Sequence, residues 1–319
     1  MRRVLLTGAT GFVGAAVLRH LVQGGWDEVV LPVRRPLADP KPPQVITFSV
    51  PDLAHLGECA AALPGVETVV HCAAQAGGLA SQHRSTLPEA LHDINVTATL
   101  ALASQALAVG VKRFVFISSL KVHGEAGWIT DDAAPAPADA YATSKWAAEE
   151  GLRTLLRNDP MELVVVRPPL VYGPGVKGNF ASLVRWACAG RPLPLGAVYN
   201  RRSMLALENL AHFVAFCADR TRSPLAAGNA FLLSDGEDVS TTQLLRRVGQ
   251  AYGVPVRLWP LPSSWLAGLA GLLGRQQAAE RVLGSLWIES SRASDLLGWR
   301  PPVSMDEQLR LMAENDARF

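Results

Sequence analysis

Tyr141 and Lys145 bound the segment Tyr141-Ala142-Thr143-Ser144-Lys145, and a spacing of four sets both on one face of a helix, a turn apart. A free phenol titrates near pH ~10 and is a poor base at neutrality. A lysine cation close by would favour the phenolate and make proton exchange with a substrate hydroxyl feasible. Ser119, at the end of Phe116-Ile117-Ser118-Ser119, offers a hydroxyl to hold a substrate carbonyl or hydroxyl beside that tyrosine. Ser118 is the rival, with a structural role as its expectation.

A second group of residues speaks for the cofactor. Thr7-Gly8-Ala9-Thr10-Gly11-Phe12-Val13-Gly14 follows an apolar run directly and opens a helical segment. Small residues let the backbone turn sharply against a pyrophosphate, and the helix N-terminus adds free N–H groups and a favourable dipole. A dinucleotide site over Gly8, Thr10, Gly11, Phe12, Val13 and Gly14 is the expectation. Arg34-Arg35 ends the second apolar run, where an acidic residue would hold the ribose 2′-OH of NAD. Arginine suits a 2′-phosphate instead, so Arg34 argues for NADP unless it is a solvated strand-end charge. Asp52-Leu53 follows the third run, where the carboxylate either caps a helix or meets the adenine amine.

These residues need a scaffold. Continuous apolar runs at 3–7, 28–33, 44–50, 68–72, 113–118 and 163–167 read as strands buried on both faces, with helices at 12–23, 53–63, 86–109 and 140–157 between them. Alternation of this kind predicts an α/β fold, a Rossmann-type doubly wound parallel sheet. Residues 1–168 form the expected NAD(P)-binding core, and one strand near 229–234 returns to it. Proline and glycine rise in 169–319, which reads as a smaller, mainly substrate-binding lobe assembled from excursions.

Composition narrows the function further. Of 319 residues, 49% are hydrophobic, enough for a sizeable core, and 30 Lys and Arg against 28 Asp and Glu disfavour a nucleic-acid partner. Cys59, Cys72, Cys188 and Cys217 lie far apart, reading as reduced thiols rather than a disulfide frame or a metal site. No apolar run reaches the ~20 residues needed to span a bilayer, so a cytoplasmic protein without a membrane span is expected. The apolar stretch at 265–273 reads by default as a core or interface helix, the alternatives being a pocket lid or a membrane-surface helix.

Together, Thr7–Gly14, Ser119 and Tyr141-x-x-x-Lys145 resemble the extended short-chain dehydrogenase/reductase superfamily, and within it the nucleotide-sugar epimerase/dehydratase family. The likeness spans essentially the whole chain. His71-Cys72-Ala73-Ala74 resembles the segment beneath the nicotinamide ribose, and Arg167-Pro168 the strand end that leads to the cofactor. Asn95 matches a helix asparagine of structural use, and Leu297-Gly298-Trp299-Arg300-Pro301 the family's closing motif. The resemblance implies that Ser119, Tyr141 and Lys145 are catalytic and that Ala73, Ala74 and Pro168 touch NAD or NADP.

Ile117–Glu125 and Gly173–Phe180 are similar to a bacterial branch of UDP-hexose 4-epimerases and UDP-N-acetylhexosamine 4-ketoreductases of surface-polysaccharide synthesis. This likeness sets Lys121, His123, Asn179 and Arg202 at the substrate, with Asn179 and Arg202 on the nucleotide diphosphate. His123 stands where many members carry tyrosine, and 275–292 lacks the family's Arg-x-Gly-Asp element. No carboxylate pair follows Ser119, which sets the dehydratases aside. A 4-epimerase is the leading expectation and an NADPH-dependent 4-ketoreductase the alternative. An NADP-sensing regulator and a lipid-linked or steroid-type dehydrogenase rank behind. A homodimer through the helices at 86–109 and 140–157 is implied by likeness only.

Overall fold

The computed structural model describes residues 1–34, 41–52, 54–75, 88–274 and 276–316. Leu53 and Arg35 lie outside the described residues. Seven parallel strands form the main sheet: β1 (Arg3–Thr7), β2 (Glu28–Val33), β3 (Val45–Ser49), β4 (Thr68–His71), β5 (Arg113–Ile117), β7 (Glu162–Arg167) and β10 (Ala230–Leu232), in the order β10-β7-β5-β4-β1-β2-β3. The chain starts at β1, winds outward through β2 and β3, then returns to the other side of β1 through β4. That reversal opens a crevice beyond the carboxyl ends of β1 and β4, where Thr7 and His71 face each other across the ladder.

Helices cover both faces. On one, α1 (Phe12–Gln23) and α6 (Leu207–Ala218) pack together over Val4, Leu6, Val70 and Val115. On the other, α4 (Ala140–Leu155) packs with a rod made of α2 (Pro88–His92), one π-helical turn (Asp93–Thr97) and α3 (Ala98–Ala108). The strands are apolar on both sides because both sides are covered. The helix expected at 53–63 is a 3₁₀ helix over Ala54–Ala62.

The second lobe holds a sheet that the apolar pattern did not predict. Its strands are β6 (Gly127–Thr130), β9 (Arg202–Ala206), β11 (Asp238–Val239) and β12 (Leu286–Glu289), in the order β11-β9-β12-β6, with β8 (Leu170–Tyr172) also on β9. Around it lie α5 (Gly178–Cys188), α7 (Thr241–Ala251), α8 (Ser263–Leu272), α9 (Gln276–Leu283) and α11 (Met305–Asn315). The halves interlock: β10 returns to the main sheet beside β7, and α10 (Arg292–Leu297) delivers Trp299 against Phe213 of α6.

Candidate active site

The glycine loop is shaped by what it excludes. Gly8 has a φ of +72°, and a Cβ there would lie 2.7 Å from the Ala73 nitrogen. A Cβ on Gly14 would come within 2.1 Å of the Gly8 oxygen. The first glycine thus brings β1 against the segment after β4, and the third lets α1 sit on the loop. Gly11 caps α1 without a side-chain bond, so among the described residues no cap side chain takes up the first-turn N–H groups. This cradle fits a pyrophosphate.

Behind the loop runs a buried polar chain with a readable direction. The Thr99 hydroxyl donates to the Asn95 carbonyl (2.9 Å), so it accepts from His71 Nε2 (2.9 Å). His71 Nδ1 then accepts from Thr7 Oγ1 (2.8 Å), which itself accepts from the Ala73 N–H (3.1 Å). Burial, with Lys145 nearby, pushes His71 down to about 3, so the ring is neutral as this pattern requires. Asn95 is equally committed: Oδ1 accepts from the Gln75 N–H, and Nδ2 donates to the Gln75 carbonyl and to Ser144. The strip from Ala73 to Gln75 is pinned at both ends.

Across the crevice, Ser119 ends the β5 segment and caps a 3₁₀ turn, its Oγ accepting from the Lys121 N–H (3.2 Å). That turn packs on α4, which carries Tyr141 and Lys145. Asp139 caps α4, its Oδ1 accepting from the Ala142 N–H (2.7 Å). Lys145 is 2% exposed, its ammonium 4.3 Å from the Phe116 ring centroid, and it has no hydrogen-bond partner among the described residues. Burial lowers it to about 8. A buried cation lacking an acceptor, placed beside His71 and Cys72, fits a ribose diol.

The tyrosine is shifted upward by its surroundings. Burial, with the Asp139 charge adding, pushes the Tyr141 phenol up to about 12. Lys145 has been drawn into the apolar interior over Phe116, and here it does not offset that burial. A phenolate therefore depends on positive charge that a bound cofactor brings.

Three residues expected at the substrate have partners within the protein. Lys121 Nζ pairs with Asp139 Oδ2 (2.7 Å) and with Glu125, so it braces the start of α4 instead of reaching outward. His123 is buried, its Nε2 accepting from Arg167 Nη1 (2.9 Å) and Nδ1 facing the Ala134 carbonyl (3.4 Å). A guanidinium only donates, so His123 is neutral and turned into the protein. Arg202 Nη1 donates to the carbonyls of Arg281 (2.8 Å) and Gly284 (3.1 Å), closing the end of α9, and burial lowers its pKa. Asn179 stands exposed at the start of α5.

On the cofactor side, Asp52 is a helix cap, its Oδ1 accepting from the N–H groups of Ala54 and His55 and paired with the His55 ring. Of its two readings, capping is the one realised. Arg34 is exposed just beyond β2, and Pro168 is buried, its carbonyl accepting from the Leu120 N–H (2.8 Å).

Sequence reasoning missed Glu149. This carboxylate is 0% exposed and accepts from Ser118 Oγ (2.5 Å) and from Arg167 Nε (3.1 Å) and Nη2 (2.5 Å). It ties α4 to the ends of β5 and β7, which confirms a structural role for Ser118. The signal was available: Glu149 follows Tyr141 by eight residues, two turns along a face that is otherwise committed to the core. Among the described residues, no cluster of His, Cys, Asp and Glu could hold a metal ion.

A parallel sheet whose switch point receives a pyrophosphate cradle, with a Tyr-x-x-x-Lys helix across the crevice, defines a dinucleotide-dependent enzyme of the short-chain dehydrogenase/reductase class. A family model described as the NAD dependent epimerase/dehydratase family matches residues 4–228, and the chain belongs to that family. It is 37% identical to the UDP-glucose 4-epimerase of Vibrio cholerae, over 98% of this chain and 95% of that one. It is 29% identical to the N-acetyl-alpha-D-glucosaminyl-diphospho-ditrans,octacis-undecaprenol 4-epimerase of Escherichia coli O157:H7, over 88% and 83%. The crystal structure of a UDP-glucose 4-epimerase from Thermotoga maritima superposes with a TM-score of 0.74 at 20% identity, covering 99% of each chain, and shows the shared fold. The cofactor is NAD(P).

Proposed function

We propose that this protein is a nucleotide-sugar 4-epimerase acting on a UDP-hexose or UDP-N-acetylhexosamine. The observation that carries the reading is Tyr141 on α4, braced against the Ser119 turn through Asp139 and Lys121. The near end-to-end likeness to a UDP-glucose 4-epimerase supports a UDP-sugar as substrate class.

A bound nicotinamide would supply the site for hydride transfer in both directions. The residues do the rest. Thr10 and the first-turn N–H groups at Phe12, Val13 and Gly14 would hold the pyrophosphate, Ala73 and Ala74 would form the floor, and Lys145 would take the ribose hydroxyls. Ser119 holds the C4 oxygen, and Tyr141 removes its proton on oxidation and gives one back on reduction. With its pKa near 12 the phenol carries its proton at neutral pH, and the positive charge of a bound cofactor would lower it for the base role. Asp139 opposes the phenolate, and Lys121 neutralises Asp139. Lys121 is therefore a positioning residue for the tyrosine.

Arg34 favours a second reading. An exposed guanidinium at the end of β2 suits a 2′-phosphate, and a dissociable NADPH suits a 4-ketoreductase. One experiment separates the two. The purified protein is stripped of nucleotide, the nucleotide is identified, and the untreated protein is given UDP-glucose and UDP-N-acetylglucosamine without added cofactor. Formation of the C4 epimer is the expected result. A nucleotide-free protein that oxidises NADPH only with a UDP-4-keto sugar would overturn the epimerase reading.

A further inference from the structure

Helix α8 does not behave as a core helix. None of its residues is buried, although it contains no charge at all. Leu266 packs toward the lobe interior. Trp265 (71% exposed), Leu269 (56%) and Leu272 (87%) recur at helical spacing on the open side, with Leu273 and Trp259 exposed beside them. The uncharged run extends over residues 258–274, with Arg257 before it and Arg275 after it in the sequence. A contiguous apolar stripe of this kind is unusual on a surface that faces only water.

Charge indicates what covers it. Residues 174–202 and 239–288, which supply α5, α7, α8 and α9, contain ten Lys and Arg and one acid, Glu280; of the ten, Arg201 and Arg247 pair with Asp238 and Glu237 just outside these segments. That leaves twenty basic residues against twenty-seven acidic ones in the rest of a nearly neutral chain. These segments form one body: Leu193 bonds Arg257 through the backbone, Asn200 bonds the carbonyls of Val282 and Gly284, and α5 packs on α7. A second copy docked by twofold symmetry would set two such basic lobes face to face. An anionic surface meets the same lobe with opposite charge. Tryptophan and leucine on an uncharged helix, with arginines at its borders, match the headgroup boundary of a bilayer. Among the described residues no helix is long and apolar enough to cross a membrane, so the contact is peripheral.

We propose that α8 lies in the surface of an anionic lipid bilayer, with Trp265, Leu269 and Leu272 inserted and exposed basic residues of the second lobe, Arg257 among them, on lipid phosphates. The test is sedimentation of the full-length protein with vesicles of phosphatidylcholine containing a minority of phosphatidylglycerol. Binding is expected, weaker on pure phosphatidylcholine and at high salt. The Leu269→Glu/Leu272→Glu variant should lose at least about tenfold in bound fraction. Arg257→Gln should lose a few-fold on the anionic vesicles alone. Both lie away from the nucleotide cradle, so melting temperature and turnover of a soluble UDP-sugar should match wild type. Failure to sediment, or sedimentation unchanged in the double variant, would overturn the proposal. So would a solution dimer that the double variant splits without any lipid binding.

Discussion

The crevice above β1 and β4 and the lobe around β9 solve the same problem by different means. In the crevice the backbone is the instrument: Gly8 and Gly14 leave no room for a side chain, and His71, Thr99 and Asn95 are spent on holding backbone strips in place. In the lobe, long side chains hold the segments together. Arg202 is folded onto carbonyls some eighty positions later in the chain, and Arg201 and Arg247 pair with Asp238 and Glu237. A site made of backbone is rigid and already formed; a site made of arginine and lysine heads depends on what each head finds nearest. Cofactor affinity should therefore be insensitive to the second lobe, and substrate affinity should not.

The largest effects belong to the crevice. Tyr141→Phe should fold and bind nucleotide normally while losing on the order of 10²–10⁴ in kcat. Retention of half the activity would remove the tyrosine from the chemistry. Glu149→Leu strips the buried Arg167 of its carboxylate, an uncompensated charge that costs about 3–5 kcal/mol in urea unfolding. A loss under about 1 kcal/mol would mean that water reaches Arg167 and the core there is open.

The buried histidine gives a pH signature. His71 titrates near 6.5 when unfolded and near 3 when folded, so below pH 6.5 the unfolded chain binds a proton that the native protein refuses. Stability is intact above 6.5 and falls as the pH drops through the window toward 3. One such group contributes about 2 kcal/mol of loss between pH 6.5 and 5. His123 and His212 are shifted in the same direction. In His71→Gln the slope of unfolding free energy against pH should shrink by about one proton. An unchanged slope would show that the ring is protonated in the native state.

The smallest effect marks the border between the regions. The Lys121–Asp139 pair is partly exposed, so Lys121→Gln should cost under about 1 kcal/mol, or up to ~5-fold in activity. The loss should appear in kcat and move its pH profile alkaline, because Asp139 then opposes the phenolate unscreened. A pure rise in KM would return Lys121 to the substrate.

This contrast also explains what could be read from the chain beforehand. The glycine loop, Ser119 and Tyr141-x-x-x-Lys145 were legible because their chemistry demands local spacing, and β1 to β5 because strands covered on both faces are apolar throughout. β6, β8, β11 and β12 span two to four residues each, too short for a period to show. The partners of Arg202 and His123 come from distant segments, which no spacing records. Glu149 was legible in principle, as a charge on the buried face of α4, but only Arg167 says why it is there.

The account's central claim is that the crevice moves a hydride at C4 while Tyr141 moves only the oxygen's proton. Turnover of UDP-glucose in deuterium oxide, followed by NMR at C4, tests it most directly. The account predicts a 4-epimer that keeps its original C4 hydrogen, formed at wild-type rate by the native protein and at least ~100-fold more slowly by Tyr141→Phe. Solvent deuterium at C4 of the product would contradict it, because the hydrogen would then have left as a proton.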